Sequence, residues 1–314
     1  MQRLRQERGA VSVTVALLIV PLIAFAAIAI DIAAMHAERQ QLQTGADAAA
    51  LAIAQDCARD ACEDPGHTAQ EFATANTNSE ATATVDPVPT PASGQVTVQN
   101  SGLRGHWFAP VLGFDETAIT ASASAGWGAP SGGTSMLPLA LSYCEWWNQT
   151  GGGTPSGSTA RTIYLAGTGP TPGCPGPSGT VPGGFGWLRT DPGTCNVTTA
   201  IMQTLPTDTG VSVSSGCTPA DFVALQNSTV LLPIFDRTEG TGSGARYRVY
   251  GYAALTITGY SFGGQYRWNN PCSGDARCVR GYFTELVDLS DAFDYSPAAP
   301  ELGAAIVSLL PGPE

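Results

Sequence analysis

The sequence predicts an α+β fold in which an N-terminal transmembrane helix extends into an exported helix and is followed by a β-rich, disulfide-stapled ectodomain. The helix is predicted by an apolar run at residues 10–30 that contains no charged residue. The disulfides are predicted by eight cysteines, all of which follow that run. The β-rich content is predicted by 37 Gly and 23 Pro with only 13% charged residues, a composition that favours turns and short strands over a helical bundle.

The apolar run has the length that a membrane requires. At about 1.5 Å of rise per residue, the helix over residues 10–30 matches the roughly 30 Å hydrocarbon core of a bilayer. Arg3, Arg5 and Arg8 precede the run and Asp31 follows it. Because basic residues favour the cytoplasmic side, we expect a single-pass protein of the cell membrane with its N-terminus inside and its C-terminal region extracytoplasmic.

The same segment also has features of a cleaved signal peptide. It has a basic start, Pro21, and then Ala24, Phe25 and Ala26 in the A-x-A form of a cleavage site. Apolar residues continue past that site, and a helix-forming sequence follows at once. These two features favour a retained anchor, with the cleaved leader as the alternative.

Beyond the apolar run, a stripe of apolar residues continues along one face of the predicted helix. Its members recur at steps of three and four, interrupted by Arg39, and Ala, Gln, Leu and Glu around them favour helix. Such a stripe needs a covering surface, and a partner helix and the chain's own ectodomain are equal alternatives. Asp31 is a candidate for a salt bridge to a partner, or else a charge that faces water. The candidate helix–helix interface residues are Asp31, Ile32, Met35, Leu42, Ala46, Ala49 and Ile53.

The cysteines favour disulfides over a metal site. An even number of them beyond an apolar segment indicates an oxidising compartment, and the two short spacings are C-x4-C and C-x5-C rather than the C-x2-C typical of zinc sites. Eight cysteines allow 105 pairings, so bridging of each to its neighbour in sequence is a guess. The predicted disulfide cysteines are Cys57, Cys62, Cys144, Cys174, Cys195, Cys217, Cys272 and Cys278.

Composition and patterning divide the chain into six segments. Between Ile119 and Ala125, Ile and Ala alternate with Thr and Ser, which predicts a half-buried strand, and a Gly/Pro cluster at 129–134 marks a boundary. The segments are a cytoplasmic N-terminus (1–9), the transmembrane helix (10–30), a helical stalk and neck (31–80), a small β-containing unit (81–130), a β-rich exported domain (131–290), and an acidic and apolar C-terminal tail (291–314).

Four further strands are predicted in the second half, at 162–166, 229–235, 247–258 and 279–287. The third has a two-residue period that places Val249, Leu255 and Ile257 on one face. The other face, which includes Tyr252, is then an aromatic and polar surface. The sequence thus predicts a strand that is buried on one side only.

The charges and motifs do not indicate an enzyme. A net charge of −12 opposes binding to nucleic-acid phosphates, so we expect no nucleic-acid partner. Residues 259–263 fit the G-x-S-x-G motif of hydrolases around Ser261, but the triad histidine of that fold follows the serine, and His106 is the last histidine. We therefore predict no catalytic residue, no metal and no cofactor; an exported hydrolase is the less favoured alternative.

The aromatic residues provide another alternative function. Trp146, Trp147, Trp187 and Trp268 could form a platform for a glycan, since sugar faces stack on indole rings, or they could belong to the core. The core role is the more common one in a Gly-rich domain. An exported module that binds a cell-wall glycan or another ligand is therefore the alternative to a structural role.

The N-terminal sequence resembles a known family. Residues 7–54 combine Arg and Gly, an apolar span, Asp at its end and the run Q-L-Q-x-x-A-D-A-A-A-L-A, which resembles the N-terminal signature of TadE/TadG-like Flp pilus-assembly proteins. Four later segments, LPLALSYC, GGFGWL, VLLPIFD and CVRGYFTELV, resemble the exported region of actinobacterial TadG-related proteins. The matching residues of the signature are Gln41, Leu42, Gln43, Ala46, Asp47, Ala48, Ala49, Ala50 and Leu51.

The resemblance implies a membrane-anchored structural or assembly component of a Flp (Tad, type IV-like) pilus or a related envelope assembly. Its partners would be other pilus-assembly proteins or pilin, with a homo-oligomer as a further possibility. Two positions depart from related patterns. Thr14 stands where processed pilins carry Glu five residues after the Gly, here Gly9, and Asp288 begins a D-x-S-x-S-like run that lacks its second Ser at Ala292.

Overall fold

The computed structural model describes residues 4–208, 210–241 and 244–312. Arg3 of the basic N-terminus and the last two residues of the predicted C-terminal tail lie outside these ranges, and the side chains of Arg5 and Arg8 are not among those described. The chain forms two compact units. The first comprises Met1–Gly126 and Leu309–Glu314, and the second comprises Trp127–Ser308. The division falls four residues before the boundary predicted from the Gly/Pro cluster.

The first unit combines two helices with a three-stranded antiparallel arrangement. β2 lies between β1 and the first part of β3, with Ala81 opposite Gly102, and Gln95 opposite Gly126. The elements are α1 (Leu4–Cys57), α2 (Pro65–Asn76), β1 (Ala81–Val85), β2 (Gln95–Gly105) and β3 (Glu116–Ser135), with 3₁₀ turns at Pro91–Ser93 and Ala109–Leu112.

α1 and α2 pack closely because their facing residues are small. Ala69 and Ala73 of α2 are fully buried, and a Cβ at Gly45 of α1 would lie 3.1 Å from the carbonyl oxygen of Phe72. The chain turns between the helices through the Cys57–Cys62 disulfide, and α2 begins at a proline after Asp64, which caps it by accepting from His67 N at 3.0 Å. Residues 31–80, the predicted helical stalk and neck, are part of the first compact unit.

The predicted alternation of buried and exposed side chains is present in β3. Ile119, Ala121, Ala123 and Ala125 are buried, while Thr120 and Ser122 between them are exposed. The buried side of this strand contributes to a small apolar cluster with Leu42 of α1. The first unit is thus closed by one face of α1 lying on one face of the β-strands.

The second unit is built on a mixed eight-stranded sheet. The strands of this sheet are β4 (Leu139–Ser142), β5 (Arg161–Tyr164), β8 (Phe185–Trp187), β10 (Thr204–Pro206), β11 (Thr229–Glu239), β12 (Arg246–Gly263), β13 (Tyr266–Trp268) and β14 (Cys278–Thr284). The main path runs β5-β14-β12-β11-β4-β8, with β10 and β13 also pairing with β12, and all neighbours are antiparallel except β11 and β4.

The remaining elements of the second unit surround that sheet or pair with the end of β3. The last residues of β3 pair with β9 and with β16, and β15 is parallel to β17. These elements are α3 (Tyr143–Thr150), β6 (Cys174–Gly176), β7 (Gly179–Val181), β9 (Val197–Ala200), α4 (Pro219–Val223), β15 (Leu286–Asp288), β16 (Phe293–Ser296) and β17 (Ala304–Leu310). The segment predicted as a C-terminal tail therefore contributes two strands to the fold.

A β-bulge changes which side chains of β12 share a face, so the predicted common face of Val249 and Leu255 is wrong. The register between β11 and β12 shifts where Ile234 pairs with Gly251, so the residues before the shift face the opposite side from those after it. Val249 packs in one apolar cluster, whereas Leu255 packs in another on the opposite side of the sheet. The prediction that β12 is buried on one side only is wrong.

Tyr252 lies on the second buried face of β12. Its side chain is fully buried, meets Phe293 edge to face with ring centroids 5.4 Å apart, and its hydroxyl lies 2.7 Å from Thr199 Oγ1. Burial raises the pKa of Tyr252 to about 12, against the lowering effect of the Thr199 hydroxyl. The phenol therefore stays protonated at any physiological pH and retains its capacity to donate. Both faces of the central sheet are covered, which is how a Gly-rich chain buries enough apolar area.

The four disulfides each join a cysteine to the next one along the chain: Cys57–Cys62 in the first unit, and Cys144–Cys174, Cys195–Cys217 and Cys272–Cys278 in the second. Cys144 is the second residue of α3, the helix that directly follows β4, and Cys278 is the first residue of β14. The Cys144–Cys174 bridge therefore joins α3 to β6, and the Cys272–Cys278 bridge attaches a loop to a strand of the main sheet. All eight cysteines are therefore in disulfides.

We expect the substitution Tyr252→Phe to lower the free energy of unfolding by about 1–2 kcal/mol, because it leaves the buried Thr199 hydroxyl without its partner. The measurement is the denaturant midpoint of the full-length protein in detergent. Tyr250→Phe is the matched control, since Tyr250 is half-buried and its hydroxyl makes no hydrogen bond within the described residues. Equal effects of the two substitutions would show that the Thr199 contact contributes nothing.

Candidate functional site

The candidate site lies where α1 changes from an apolar to a mixed surface. Within the described residues, α1 is the one helix whose length and composition suffice to cross a membrane; the most apolar 18-residue window has a mean hydropathy of 2.9 and is not buried. From residue 11 to residue 30 every side chain is exposed except Ala27, which is half-buried. A helix with this surface requires an apolar surrounding, and it indicates anchorage in a membrane.

Asp31, the first residue after this segment, is buried by a loop of its own unit. Its Oδ1 accepts from Trp107 N at 2.9 Å, and its Oδ2 accepts from Phe108 N at 3.1 Å and Ala109 N at 2.8 Å. The residues that carry these three N–H groups directly precede or begin the 3₁₀ turn at Ala109–Leu112. A carboxylate that accepts several backbone N–H groups in this way fixes the path of the loop.

The structure corrects the expectation that Asp31 faces water. The residue is 6% exposed, and the backbone of residues 107–109 donates to both carboxylate oxygens. The bound loop is 76 residues away in sequence. Burial of a carboxylate without a cation is tolerated here because three N–H dipoles point at it.

Two further polar contacts hold the same face of α1. Glu38, two turns after Asp31, is buried; it accepts from the Ser79 hydroxyl and lies 3.9 Å from Arg104 Nη1. One turn later, the buried Asn100 side chain donates to the carbonyl oxygen of Leu42 at 3.1 Å. Together with Asp31, these contacts lie at steps of seven and four, which places them in one line along the helix.

The apolar stripe of α1 is covered mainly by the chain itself. Four members, Leu42, Ala46, Ala49 and Ile53, are buried inside the first unit. Ile32 remains exposed and Met35 is half-buried. The uncovered part of the stripe is therefore its membrane-proximal end.

A groove runs beside that exposed end. Its volume is about 380 Å³, and it lies between α1 and the first residues of β3. Ile32 and Met35 give it an apolar floor, while His36 and Arg39 on the same side of the helix give it basic character. The lining residues are Ile32, Met35, His36, Arg39, Thr117, Ala118, Ile119 and Thr120. A surface with an apolar centre and a charged edge is typical of protein–protein contacts.

The sequence did not reveal Glu38, Asn100 or Arg104 as members of this site. Glu38 shares the helical face of Asp31 at a spacing of seven residues, and Asn100 shares the inward parity of Val96 and Val98 in β2. A polar residue at an inward position of a strand was the available signal, because such a residue must find a buried partner.

The hydrolase-like motif does not form a nucleophile elbow. Ser261 lies inside β12, is buried, and pairs with Cys278 of β14 in the ladder. A nucleophile elbow needs a sharp turn from a strand to a helix that exposes the serine. The local structure at Ser261 is therefore that of a sheet residue.

The aromatic residues do not assemble into one platform. Trp146 and Trp187 are buried in the main core of the second unit, where Trp187 packs edge-on against Phe262 with ring centroids 5.0 Å apart. Trp146 donates its indole N–H to Leu302 O at 3.1 Å. Trp147 keeps an exposed surface and Trp268 is half-buried. Two of the four indoles are thus structural.

The acidic residues of the second unit are engaged locally. Asp236 is buried and forms an ion pair with Arg248, with Ser178 as a further hydrogen-bond donor. Burial is the main influence on Glu145 and raises its pKa, although Gly184 N donates to it at 2.7 Å. Asp288 accepts from the backbone and hydroxyl of Ser290. Among the described residues, no group of three or more His, Cys, Asp or Glu side chains is arranged to hold a metal ion.

Comparison with known proteins finds a similarity for most of α1. Residues 9–56 match the family model described as putative Flp pilus-assembly TadE/G-like. No curated protein and no solved structure matches the chain. The matched region covers α1 from the start of its apolar segment to the residue before Cys57, so it contains Asp31, Glu38 and the apolar stripe.

We expect Asp31→Ala to release the loop, because three backbone N–H groups lose their acceptor at once. Hydrogen exchange of the full-length protein in detergent should show the amides of residues 107–109 exchanging roughly tenfold faster or more. Asp56→Ala is the matched control: Asp56 lies on the same helix, is exposed, and forms a surface ion pair with Arg59. Unchanged protection of residues 107–109 in the Asp31 variant would contradict the role assigned to this carboxylate.

Proposed function

We propose that this chain is a membrane-anchored structural or assembly component of a Flp (Tad, type IV-like) pilus or a related envelope assembly, and that it acts through protein–protein contacts rather than catalysis. The observation that carries the proposal is that the family match at residues 9–56 coincides with α1, the element that joins an uncovered apolar segment to a folded unit. Anchoring a folded unit at the membrane is what an assembly component requires.

The proposed orientation has the N-terminus in the cytoplasm and both units outside. Arginines precede the apolar segment and acidic residues follow it, which favours that direction of insertion. The four disulfides support it, since stable disulfides form in oxidising compartments and Cys57 is on the far side of the membrane segment from the N-terminus. The anchor is proposed to be retained, because the same helix that would be cut at Ala26 continues without interruption into the packed region.

The TadG-related assignment is the finer part of the proposal. The four segments that resemble the exported region of those proteins include β4, β8, β14 and most of β11 of the second unit. All four strands belong to the main sheet, so the resemblance follows the core of one fold rather than scattered surface loops. This supports a common architecture for the exported domain.

The proposed contact surface is the groove beside Ile32 and Met35. Its partner would be another pilus-assembly protein, pilin, or a second copy of this chain, with an apolar element for the floor and an acid for Arg39. Because α1 is exposed on this side just beyond the membrane segment, a partner helix leaving the same membrane could reach the groove. The contact would hold the two proteins together without a chemical step.

Deletion of the gene in the native host should reduce surface pili, counted by electron microscopy, and the wild-type chain should restore them. Arg39→Glu should fail to restore them fully, because it reverses the charge of the groove. Gln40→Glu is the matched control, since the neighbouring Gln40 is exposed on α1 but does not line the groove. Full piliation of the deletion strain would contradict the proposed function, and equal behaviour of the two variants would contradict the proposed surface.

A further inference from the structure

The loop between β2 and β3 is apolar and exposed. Residues 107–114 read WFAPVLGF and contain no charged residue. Val111 at its tip is 90% exposed, and Trp107 and Phe114 are each 66% exposed. Water-facing aromatic and aliphatic side chains in such a cluster indicate a surface that meets another apolar phase.

The loop is fixed at the end of the apolar segment of α1. Its first three N–H groups bind Asp31, the residue that directly follows that segment. Ala27, one helical turn earlier on the same face as Asp31, is the half-buried residue among the otherwise exposed positions from 11 to 30. The loop thus lies beside the last turn of the segment that crosses the membrane.

Most backbone N–H groups of the loop are hydrogen-bonded within the protein, as a medium with little water requires. Besides the three N–H groups bound to Asp31, Val111 N donates to Phe108 O at 3.2 Å, Gly113 N to Pro110 O at 3.0 Å, and Phe114 N to Ala109 O at 3.2 Å. Pro110 has no N–H to satisfy. Internal pairing of backbone donors is the condition that apolar lipid surroundings impose.

The base of the loop carries the polar groups expected at an interface. The Arg104 guanidinium lies 5.4 Å from the centre of the Trp107 ring, and His106 Nε2 lies 2.8 Å from the Thr117 hydroxyl. Tryptophan with its apolar body and polar N–H is enriched where hydrocarbon meets headgroups, and the Arg104 guanidinium beside it is held by the Glu38 carboxylate. The order along the loop is therefore polar at the base and apolar at the tip.

We propose that residues 107–114 insert into the interfacial layer of the membrane that α1 spans, on the side where Asp31 leaves it, and so anchor the first unit at a second point. The inference rests on the membrane anchorage in the proposed function and is independent of the pilus role. A protein partner is the less favoured occupant, because the loop is held against a helix whose adjacent turns are themselves exposed to lipid.

The test uses the full-length protein reconstituted in vesicles of phosphatidylcholine and phosphatidylglycerol. An environment-sensitive fluorophore is attached to Val111→Cys; since all eight native cysteines are in disulfides, the introduced thiol is the reactive one. Val88→Cys is the matched control, because Val88 is also exposed and lies beyond the other end of the β-hairpin, roughly 35 Å away along the eleven residues of β2. Leu18→Cys reports on α1 itself.

The label at position 111 should emit at shorter wavelength than the label at 88 and should be quenched severalfold more by lipids that carry a doxyl group near the headgroup. Emission at 111 that resembles position 88, with the label at 18 quenched, would overturn the inference and leave the anchor intact. Lack of quenching at 18 by lipids that carry the doxyl group deep in the acyl chain would refute the anchor as well, because position 18 lies near the middle of the segment. Protection of position 111 from a soluble quencher without quenching by lipid would assign the loop to a protein partner and equally overturn the proposal.

A second variant tests the loop without a label. Trp107→Tyr should lower the fraction of tryptophan emission that brominated lipids quench, because an exposed indole at the base of the loop is then removed. An unchanged quenchable fraction would contradict insertion. Among the described residues, Trp107 is not a member of the apolar cluster around Leu42, Ile119 and Ala121 and is 66% exposed, so we expect the substitution to leave the fold in place.

Discussion

The structure of the first unit depends on one constraint: α1 is a single helix whose first half and second half need different surroundings. The change occurs at Asp31, where the fully apolar surface ends and the loop between β2 and β3 begins to cover the helix. Because a helix advances by about 1.5 Å per residue, fixing residues 31–57 against the β-strands also fixes where the unit stands relative to the end of the apolar segment beyond Pro21. Asp31, Glu38 and the carbonyl of Leu42 supply the polar part of that attachment.

The periodicity of the sequence was sufficient to predict α1 and the inward side of β3, because both depend on local repeats that leave one face apolar. It could not say what covers that face. A stripe of Leu42, Ala46 and Ala49 is equally suited to a neighbouring helix and to a strand of the same chain, since small side chains permit close approach to either. Which surface covers the stripe depends on residues far away in sequence. One of them is Asn100, whose buried side-chain amide needs an acceptor.

Two of the sequence predictions that the structure corrects, the facing of β12 and the surroundings of Asp31, failed for a related physical reason. A two-residue period predicts facing only while the register holds, and the irregularity near Gly251 adds a residue that reverses it, so Val249 and Leu255 face opposite sides. Likewise, the partners of Asp31 are backbone N–H groups, which every residue except proline carries and which no residue type reveals. Side-chain chemistry is visible in a sequence, whereas backbone contacts between distant segments are not.

The proposed orientation of the chain is supported by two arguments that do not share an assumption. Arginines before the apolar segment act during insertion and depend on the charge distribution across the membrane. The Cys57–Cys62 bridge closes just after α1 and depends on the redox conditions of the compartment that contains it. If the helix were inserted in the opposite direction, this bridge and the three in the second unit would face the reducing cytoplasm, and α1 would end in an unbridged turn. Both the charges and the cysteines thus favour the same side of the membrane for everything beyond Asp31.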